Sequence, residues 1–267
     1  MLNATYPQRI VCLTAETAEI LWRLGVWERV VGVSGYTTRP PDARKKPKIG
    51  GFTSIHIDKV LALNPDLVIS FSDLQADIVK ELIHRGCNVL ALNQRSLAEM
   101  LNAILVLGGV VGREAEAHAL ADEMSASMQQ IADQAASFAY RPRVFFEEWP
   151  NPLIAGIRWV SEIIELAGGE DTFSELRDVQ GAKGRIIDPA LVPPRDPQVI
   201  LASWCGKKVV IDQILQREGW SNVTAIRDGR VYEIKSDVIL QPGPILVEGL
   251  RQVHALLAQT VKESIHG

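Results

Sequence analysis

Two stretches of the chain repeat one pattern and decide its fold: IDKVLALNPDLVIS at residues 57–70 and IDPALVPPRDPQVILAS at residues 187–203. Each begins with Ile-Asp and continues with a short apolar stretch and a proline followed by a polar residue. Each then ends in an apolar run typical of a buried strand. The match is imperfect, because the second copy has two extra residues before its proline. The repetition predicts two similar halves within one chain.

The sequence around both copies alternates between strand-like and helix-like patterns. Runs such as RIVCLT, RVVGVS, DLVISF and CNVLALN alternate with amphipathic segments before residue 94, and the same alternation restarts with RVFFEE at residue 143. This order favours mostly parallel sheets covered by helices. We therefore predict an α/β fold with two similar lobes.

A long helical segment separates the two halves. REAEAHALADEMSASMQQIADQAAS carries one apolar stripe, formed by Leu120, Met124, Met128, Ile131 and Ala135. At 1.5 Å per residue such a helix is roughly 37 Å long, more than a crossover helix needs. We predict an N-terminal lobe at residues 1–112, a linking helix at 113–138 and a C-terminal lobe at 139–267.

Composition excludes several function classes. The chain has 267 residues, 28 basic and 32 acidic, well mixed, so a nucleic-acid partner is not expected. The sequence contains no stretch of 18 apolar residues, so no segment is expected to span a membrane. The first residues, MLNATYPQRIVCL, show no export signal. The protein is expected in the cytoplasm if Met1 is the native start, and outside it if a leader was removed, with an inclination toward the cytoplasm.

Catalytic and metal-binding signals are weak. The sequence contains no H-E-x-x-H, G-x-S-x-G or Walker motif, and its five histidines are scattered. We expect no enzyme activity, no resident metal and no cofactor. Cys205 alone lies in a loop-like setting, SWCGK, just after a predicted strand. It could line a ligand site, pack, or act as a nucleophile or cobalt-facing thiol in a cofactor-handling enzyme.

Aromatic residues give the clearest pointer to a ligand. Five of them fall in predicted loops or at the beginnings of elements: Tyr36, Phe52, Trp149, Trp159 and Trp204. Core aromatics more often lie in the middle of an element. Gathered in a cleft, such rings suit a large, flat, partly apolar ligand. The alternative is that several of them only close the ends of the lobes.

The two repeated acids have a simple structural interpretation. Asp58 and Asp188 each lie at the beginning of a short predicted helix, and Asp188 precedes Pro189, an arrangement typical of an N-cap. A carboxylate in the first turn also complements the helix dipole.

The stretch VVGVSGYTTRPPDARKKPKIGGFTSIHIDKVLALNPDLVIS, residues 30–70, resembles the N-terminal lobe of helical-backbone substrate-binding proteins of ABC importers. These are receptors for vitamin B12, haem and iron-siderophores, and the resemblance to the vitamin B12 receptors is the strongest. It covers nearly the whole chain. It implies two α/β lobes joined by one rigid helix, with the ligand held between them and little hinge motion.

The resemblance also implies roles for single residues. Asp58 and Asp188 fall where the family has acids that dock onto a permease, although the family often has Glu there. Tyr36 and Phe52 fall where aromatics line the ligand cleft, and the transfer to Trp149 and Trp159 is looser because loop lengths differ. Gln241, in SDVILQPGPIL, is a further candidate contact.

Three hypotheses follow. The first is a monomeric receptor for cobalamin or a related corrinoid that delivers its ligand to ABC permease subunits. The second is a haem or ferric-siderophore receptor, with Tyr36 or His56 as a haem ligand, or with arginines around an anionic siderophore: Arg39, Arg158 and Arg185. The third is the enzyme that uses Cys205.

Overall fold

The computed structural model describes residues 5–266 and divides into two compact units. Unit 1 holds Met1–Met124 with Pro242–Pro244, and unit 2 holds Ser125–Gln241 with Ile245–Gly267. Each unit contains its own mostly parallel sheet with helices around it. The predicted fold class, α/β with two lobes and a long helix, is confirmed. The domain boundaries drawn from the sequence stay a prediction.

Unit 1 is built on a four-stranded parallel sheet. In chain order its strands are β1 (Ile10–Cys12), β2 (Val30–Val33), β3 (Leu67–Phe71) and β4 (Val89–Leu92), arranged β2-β1-β3-β4. Its helices are α1 (Ala15–Arg23), α2 (Ile57–Ala62), α3 (Ala76–His84) and α4 (Leu97–Val111). Strands β1 and β3 are buried throughout, as expected of central strands in a parallel sheet covered on both faces.

Local sequence signals set the ends of these helices. The side chain of Ser96 accepts from the Glu99 amide and Glu99 accepts from the Ser96 amide, a capping box, and left-handed Gly112 ends α4. Helix α2 follows His56 as its N-cap, so Asp58 lies in its first turn rather than at the cap itself.

The long helix α5 covers Glu114–Ala135, within the predicted residues 113–138. The predicted apolar stripe is buried along its length, from Leu120 to Ala135. The division between the two units falls inside this helix, after Met124.

Unit 2 has a five-stranded sheet. Its strands are β5 (Arg143–Pro150), β6 (Leu153–Ala155), β7 (Glu170–Asp171), β8 (Val199–Ala202) and β9 (Val231–Glu233). The order is β6-β5-β8-β9, and β7 also pairs with β5. Only β6 is antiparallel in the described sheet, because it returns from β5 as a hairpin.

Unit 2 contains several short helices and ends in the long helix α10. They are α6 (Arg158–Leu166), α7 (Ile211–Leu215), α8 (Thr224–Arg227), α9 (Ser236–Ile239) and α10 (Leu246–His266). Asp188 caps a 3-10 helix, Pro189–Leu191, by accepting from the Ala190 amide at 2.9 Å, so the predicted N-cap is confirmed.

Aromatic packing dominates the core of unit 2. The Phe145 ring meets Phe173 at 5.5 Å and Trp220 at 5.8 Å between ring centroids, both edge to face. Such pairs contribute about 0.5–1.5 kcal/mol beyond the area they bury. Within residues 5–266, no helix combines the length and the apolar character needed to cross a bilayer.

Candidate functional site

The carboxyl ends of the parallel strands carry most of the polar and aromatic side chains singled out by the sequence. Ligands of α/β proteins bind at this edge because loops there are free to vary while the sheet holds them in place. Each unit presents such an edge.

Tyr36 lies beyond the end of β2 and is 51% exposed. Glycines shape the loop beneath it: the Gly35 amide donates to the Gly50 carbonyl at 2.8 Å. Gly50 has φ +131°, and a Cβ there would lie 2.3 Å from the Ser54 carbonyl oxygen, so only glycine fits. The loop therefore leaves Tyr36 about half exposed at this edge.

Phe52 is half-buried and tilts against Phe71, the last residue of β3, at 6.5 Å between ring centroids. The buried amide of Gln75 fixes this arrangement. Its Nε2 donates to the Phe52 carbonyl at 2.8 Å, and its Oε1 accepts from the Phe71 amide at 3.1 Å. Gln75 thus joins the Phe52 loop to the end of the central sheet.

A cation also contacts the Phe71 ring. The Arg95 guanidinium lies 5.2 Å from the Phe71 ring centroid and donates to Asp73 at 2.7 Å. Arg95 is 5% exposed, so it supports the loop after β3 more than it faces solvent.

A buried carboxyl group follows β1. Glu16 is 3% exposed, and burial raises its pKa to about 7, although a hydrogen bond from the Thr14 hydroxyl opposes the shift. The Pro242–Pro244 segment belongs to the same unit, and a Cβ on Gly243 would lie 2.9 Å from the Glu16 Cβ. This backbone approach excludes water from Glu16.

In unit 2, Glu147 near the end of β5 anchors the loop after β8. Its side chain has no exposed surface and accepts from Arg217 at 2.6 Å and from the Trp204 indole at 3.1 Å. Trp204 is 1% exposed and packs in the core. The sequence prediction that Trp204 faces a ligand is therefore opposed by its burial.

Trp159 is also buried, at 3% exposure, within α6. Its indole donates to the Ile239 carbonyl at 2.9 Å and so connects α6 to the end of α9. Gln241, two residues beyond α9, is half-buried. In this structure Trp159 supports the segment that carries Gln241, and its own ring offers no open face.

Trp149 does present an aromatic surface at this edge. It is partly buried on β5, and its indole donates to the Asn151 carbonyl at 3.0 Å, which fixes the ring. The Lys207 ammonium stands 4.2 Å from the Trp149 ring centroid and 5.0 Å from that of Trp204.

Cys205 is exposed beside these rings. Neighbouring atoms shield its sulfur from solvent and raise the pKa of the thiol, and the charge of Glu148 raises it further. A raised thiol pKa lowers the fraction of nucleophilic thiolate, so these surroundings do not favour the hypothesis of an enzyme based on Cys205.

The three arginines considered for an anionic ligand are all paired with carboxylates. Arg39 meets Glu19 at 3.1 Å, and Arg158 meets Glu162 at 2.9 Å. Arg185, 1% exposed, makes two bonds to Glu148 of 2.6 and 3.0 Å. Their charges are balanced, which argues against a site for a multiply charged siderophore. In the described part of the chain, no cluster of three His, Cys, Asp or Glu residues is placed to hold a metal ion.

A separate shallow pocket of about 310 Å³ lies beside α4 and includes none of the predicted site residues. It is lined by Leu92, Asn93, Gln94, Glu99, Asn102, Ala103 and Val106. Its volume is at the lower limit for small-molecule sites.

The two repeated acids are both exposed. The Asp58 side chain is 91% exposed, with Arg85 at 3.4 Å, and Asp188 combines its capping bond with an exposed position. Sequence reasoning did not find Gln75, Glu16 or Lys207. The position of Gln75 shortly after a buried strand was the only available signal, because burial and pairing depend on segments distant in sequence.

Comparison with known proteins places this geometry in a family. The model of the family described as "Periplasmic binding protein" matches residues 10–238. The chain is 29% identical over 274 residues, covering 96% of this chain and 82% of the relative, to the "Uncharacterized ABC transporter substrate-binding lipoprotein YvrC" of Bacillus subtilis (strain 168). It is 26% identical over 271 residues, covering 98% and 94%, to a "Vitamin B12-binding protein" of Vibrio cholerae.

Among solved structures, the periplasmic heme-binding protein RhuT from Roseiflexus sp. RS-1, in its apo form, superposes with a TM-score of 0.82. The two are 24% identical, and the match covers 95% of this chain and 99% of that one. This likeness shows a common fold. The resemblance inferred from residues 30–70 is confirmed, and the family consists of binding proteins, not enzymes. The chain belongs to the periplasmic binding protein family.

Proposed function

We propose that this protein is the substrate-binding component of an ABC importer and that it holds cobalamin or a related corrinoid. The observation that carries the proposal is the pair of fixed aromatic surfaces at the strand ends, Tyr36 with Phe52 in unit 1 and Trp149 in unit 2. Large, flat, weakly charged rings suit such surfaces. The vitamin B12-binding relative from Vibrio cholerae supports the same ligand class.

The proposed ligand contacts are Tyr36, Phe52, Trp149, Gln241 and Cys205. Trp159 and Trp204 are assigned a supporting role, because their indoles are buried and bonded within unit 2. Haem is the second candidate, favoured by the fold shared with RhuT and by the exposed Tyr36 phenol.

Titration of the purified protein with cyanocobalamin tests the proposal. We expect quenching of tryptophan fluorescence and a change in the corrinoid absorption band, with a Kd of about 1 μM or lower. A parallel titration with haemin, followed at the Soret band, tests the second candidate. Saturable haemin binding without any corrinoid response would refute the corrinoid proposal and identify haem as the ligand class.

Tyr36→Ala is expected to weaken corrinoid binding about tenfold, because a stacked ring worth about 1.4 kcal/mol is lost. Trp22→Ala is the matched control, since Trp22 is 40% exposed but lies on α1, away from the glycine loop. The affinity of the control should stay within about twofold of the parent. Equal losses of corrinoid affinity in both variants would show that Tyr36 is not a ligand contact.

We also propose that Asp58 and Asp188 dock onto the arginines of a permease and that the protein works as a monomer outside the cytoplasmic membrane. The prediction of a cytoplasmic location was based only on the first residues of the sequence. The name of the relative YvrC, a substrate-binding lipoprotein, favours a location outside the cytoplasmic membrane. The exposure of both acids leaves each carboxylate available to a cationic partner.

The double variant Asp58→Asn, Asp188→Asn is expected to bind liposomes containing a corrinoid-class ABC importer about tenfold more weakly, with corrinoid affinity unchanged. Asparagine caps helices as well as aspartate, so folding should be preserved. Asp77→Asn with Asp212→Asn is the control, because both are exposed first-turn acids, one in each unit. Full importer binding by the first double variant would refute docking through these acids.

A further inference from the structure

Lys207 occupies an unusual position at the strand-end edge of unit 2. It lies on the turn after β8, where Gly206 has φ +75° and the Lys207 amide donates to the Trp204 carbonyl at 3.2 Å. The turn brings the exposed side chain back over two indoles, with the ammonium 4.2 Å from the Trp149 ring centroid and 5.0 Å from that of Trp204.

The neighbouring charges are already balanced. Glu147 is bonded to Arg217, and Glu148 to Arg185. Within the described residues, no carboxylate lies within salt-bridge distance of Lys207. The Lys207 ammonium is therefore open to an anion.

The relative strengths of two contacts indicate that an anionic ligand can draw the Lys207 ammonium away from the indole rings. A cation–π contact at an exposed site is weak, and a charge-assisted hydrogen bond between an ammonium and an anionic group is stronger. An anion placed beside Trp149 would thus move the ammonium off the ring and leave the indole face free to stack on a planar group.

We propose that Lys207 and Trp149 recognise a ligand that carries one anionic group beside a planar ring. The proposal rests on the function proposed above and adds a specificity residue to it. The phosphodiester of the nucleotide arm of cobalamin, next to its benzimidazole base, is the favoured source. Cobinamide lacks both, and the carboxylates of haem are the other source of the same chemistry.

Binding of cyanocobalamin, dicyanocobinamide and haemin to four proteins tests this inference. The four are the parent, Lys207→Met, Lys207→Arg and Lys208→Met. Methionine keeps an apolar stem over the indole without charge, and arginine keeps the charge. Lys208 is the control, because it is the adjacent exposed lysine.

We expect Lys207→Met to weaken cobalamin binding about tenfold and to leave cobinamide binding unchanged, whereas Lys207→Arg and Lys208→Met stay within about threefold. The parent should lose its preference for cobalamin over cobinamide as salt rises, because the ion pair is exposed. Equal weakening of both corrinoids, or of neither, would overturn the role of Lys207 while corrinoid binding itself stands.

The outcomes also separate this inference from the proposed function. If the parent binds haemin alone and Lys207→Met weakens that binding, the corrinoid proposal fails and the anion-recognition role stands with carboxylate as the source. If the parent binds none of the three, both fail.

Discussion

Arg217→Ala is expected to lower the free energy of unfolding by about 3–5 kcal/mol, because it leaves a buried carboxylate without its cation. The Glu147 side chain has no exposed surface, and Arg217 makes two bonds to it of 2.6 and 3.2 Å. The Arg217 guanidinium also lies 4.4 Å from the Trp220 ring centroid, so alanine removes packing as well. Urea unfolding followed by tryptophan fluorescence measures the change.

Arg251→Ala provides the comparison for this prediction. Arg251 and Glu248 are 3.8 Å apart on the same unit, but both side chains are about half exposed, so the loss should stay below about 1 kcal/mol. Adding Glu147→Gln to Arg217→Ala should recover part of the stability, because no buried charge then remains. Similar losses in Arg217→Ala and Arg251→Ala would contradict the burial argument.

The sequence predicted the regular elements well because their signals are local. The short helix containing Asp58 and the long helix 114–135 each depend on residues that are close in sequence. Strands β6 and β7, of three and two residues, were not predicted from the sequence.

The candidate site was less predictable because ring orientation depends on partners distant in sequence. Trp149 and Trp204 both lie near the end of a strand, yet Trp149 is only partly buried whereas Trp204 turns inward. The difference arises from Glu147, which is 57 residues before Trp204 and accepts its indole N–H. Lys207 was missed for the same reason, since its ammonium lies over a ring from another strand.

Glu16→Gln is expected to stabilise the protein above neutral pH by about 3 kcal/mol relative to the parent and to have little effect in acid. Burial raises the pKa of Glu16 from its ordinary value of 4.5 to about 7, so between these limits the folded state holds a proton that the unfolded state has released. The folded state then binds more protons, and the stability of the parent falls as pH rises through this window. Glutamine has nearly the same shape and cannot ionise, so the variant should lack this loss.

The groups around Glu16 support assigning the effect to this carboxyl. The neighbouring acid, Glu19, is paired with Arg39 at 3.1 Å, and the Thr14 hydroxyl can donate to a glutamine oxygen as it does to Glu16. Urea unfolding of the parent and variant at about pH 5 and about pH 8 gives the measurement. Glu28→Gln, an exposed position in the same unit, is the control for the loss of a glutamate. If the difference between Glu16→Gln and the parent were the same at both pH values, Glu16 would be ionised in the folded protein, and the Pro242–Pro244 segment would not exclude water from it.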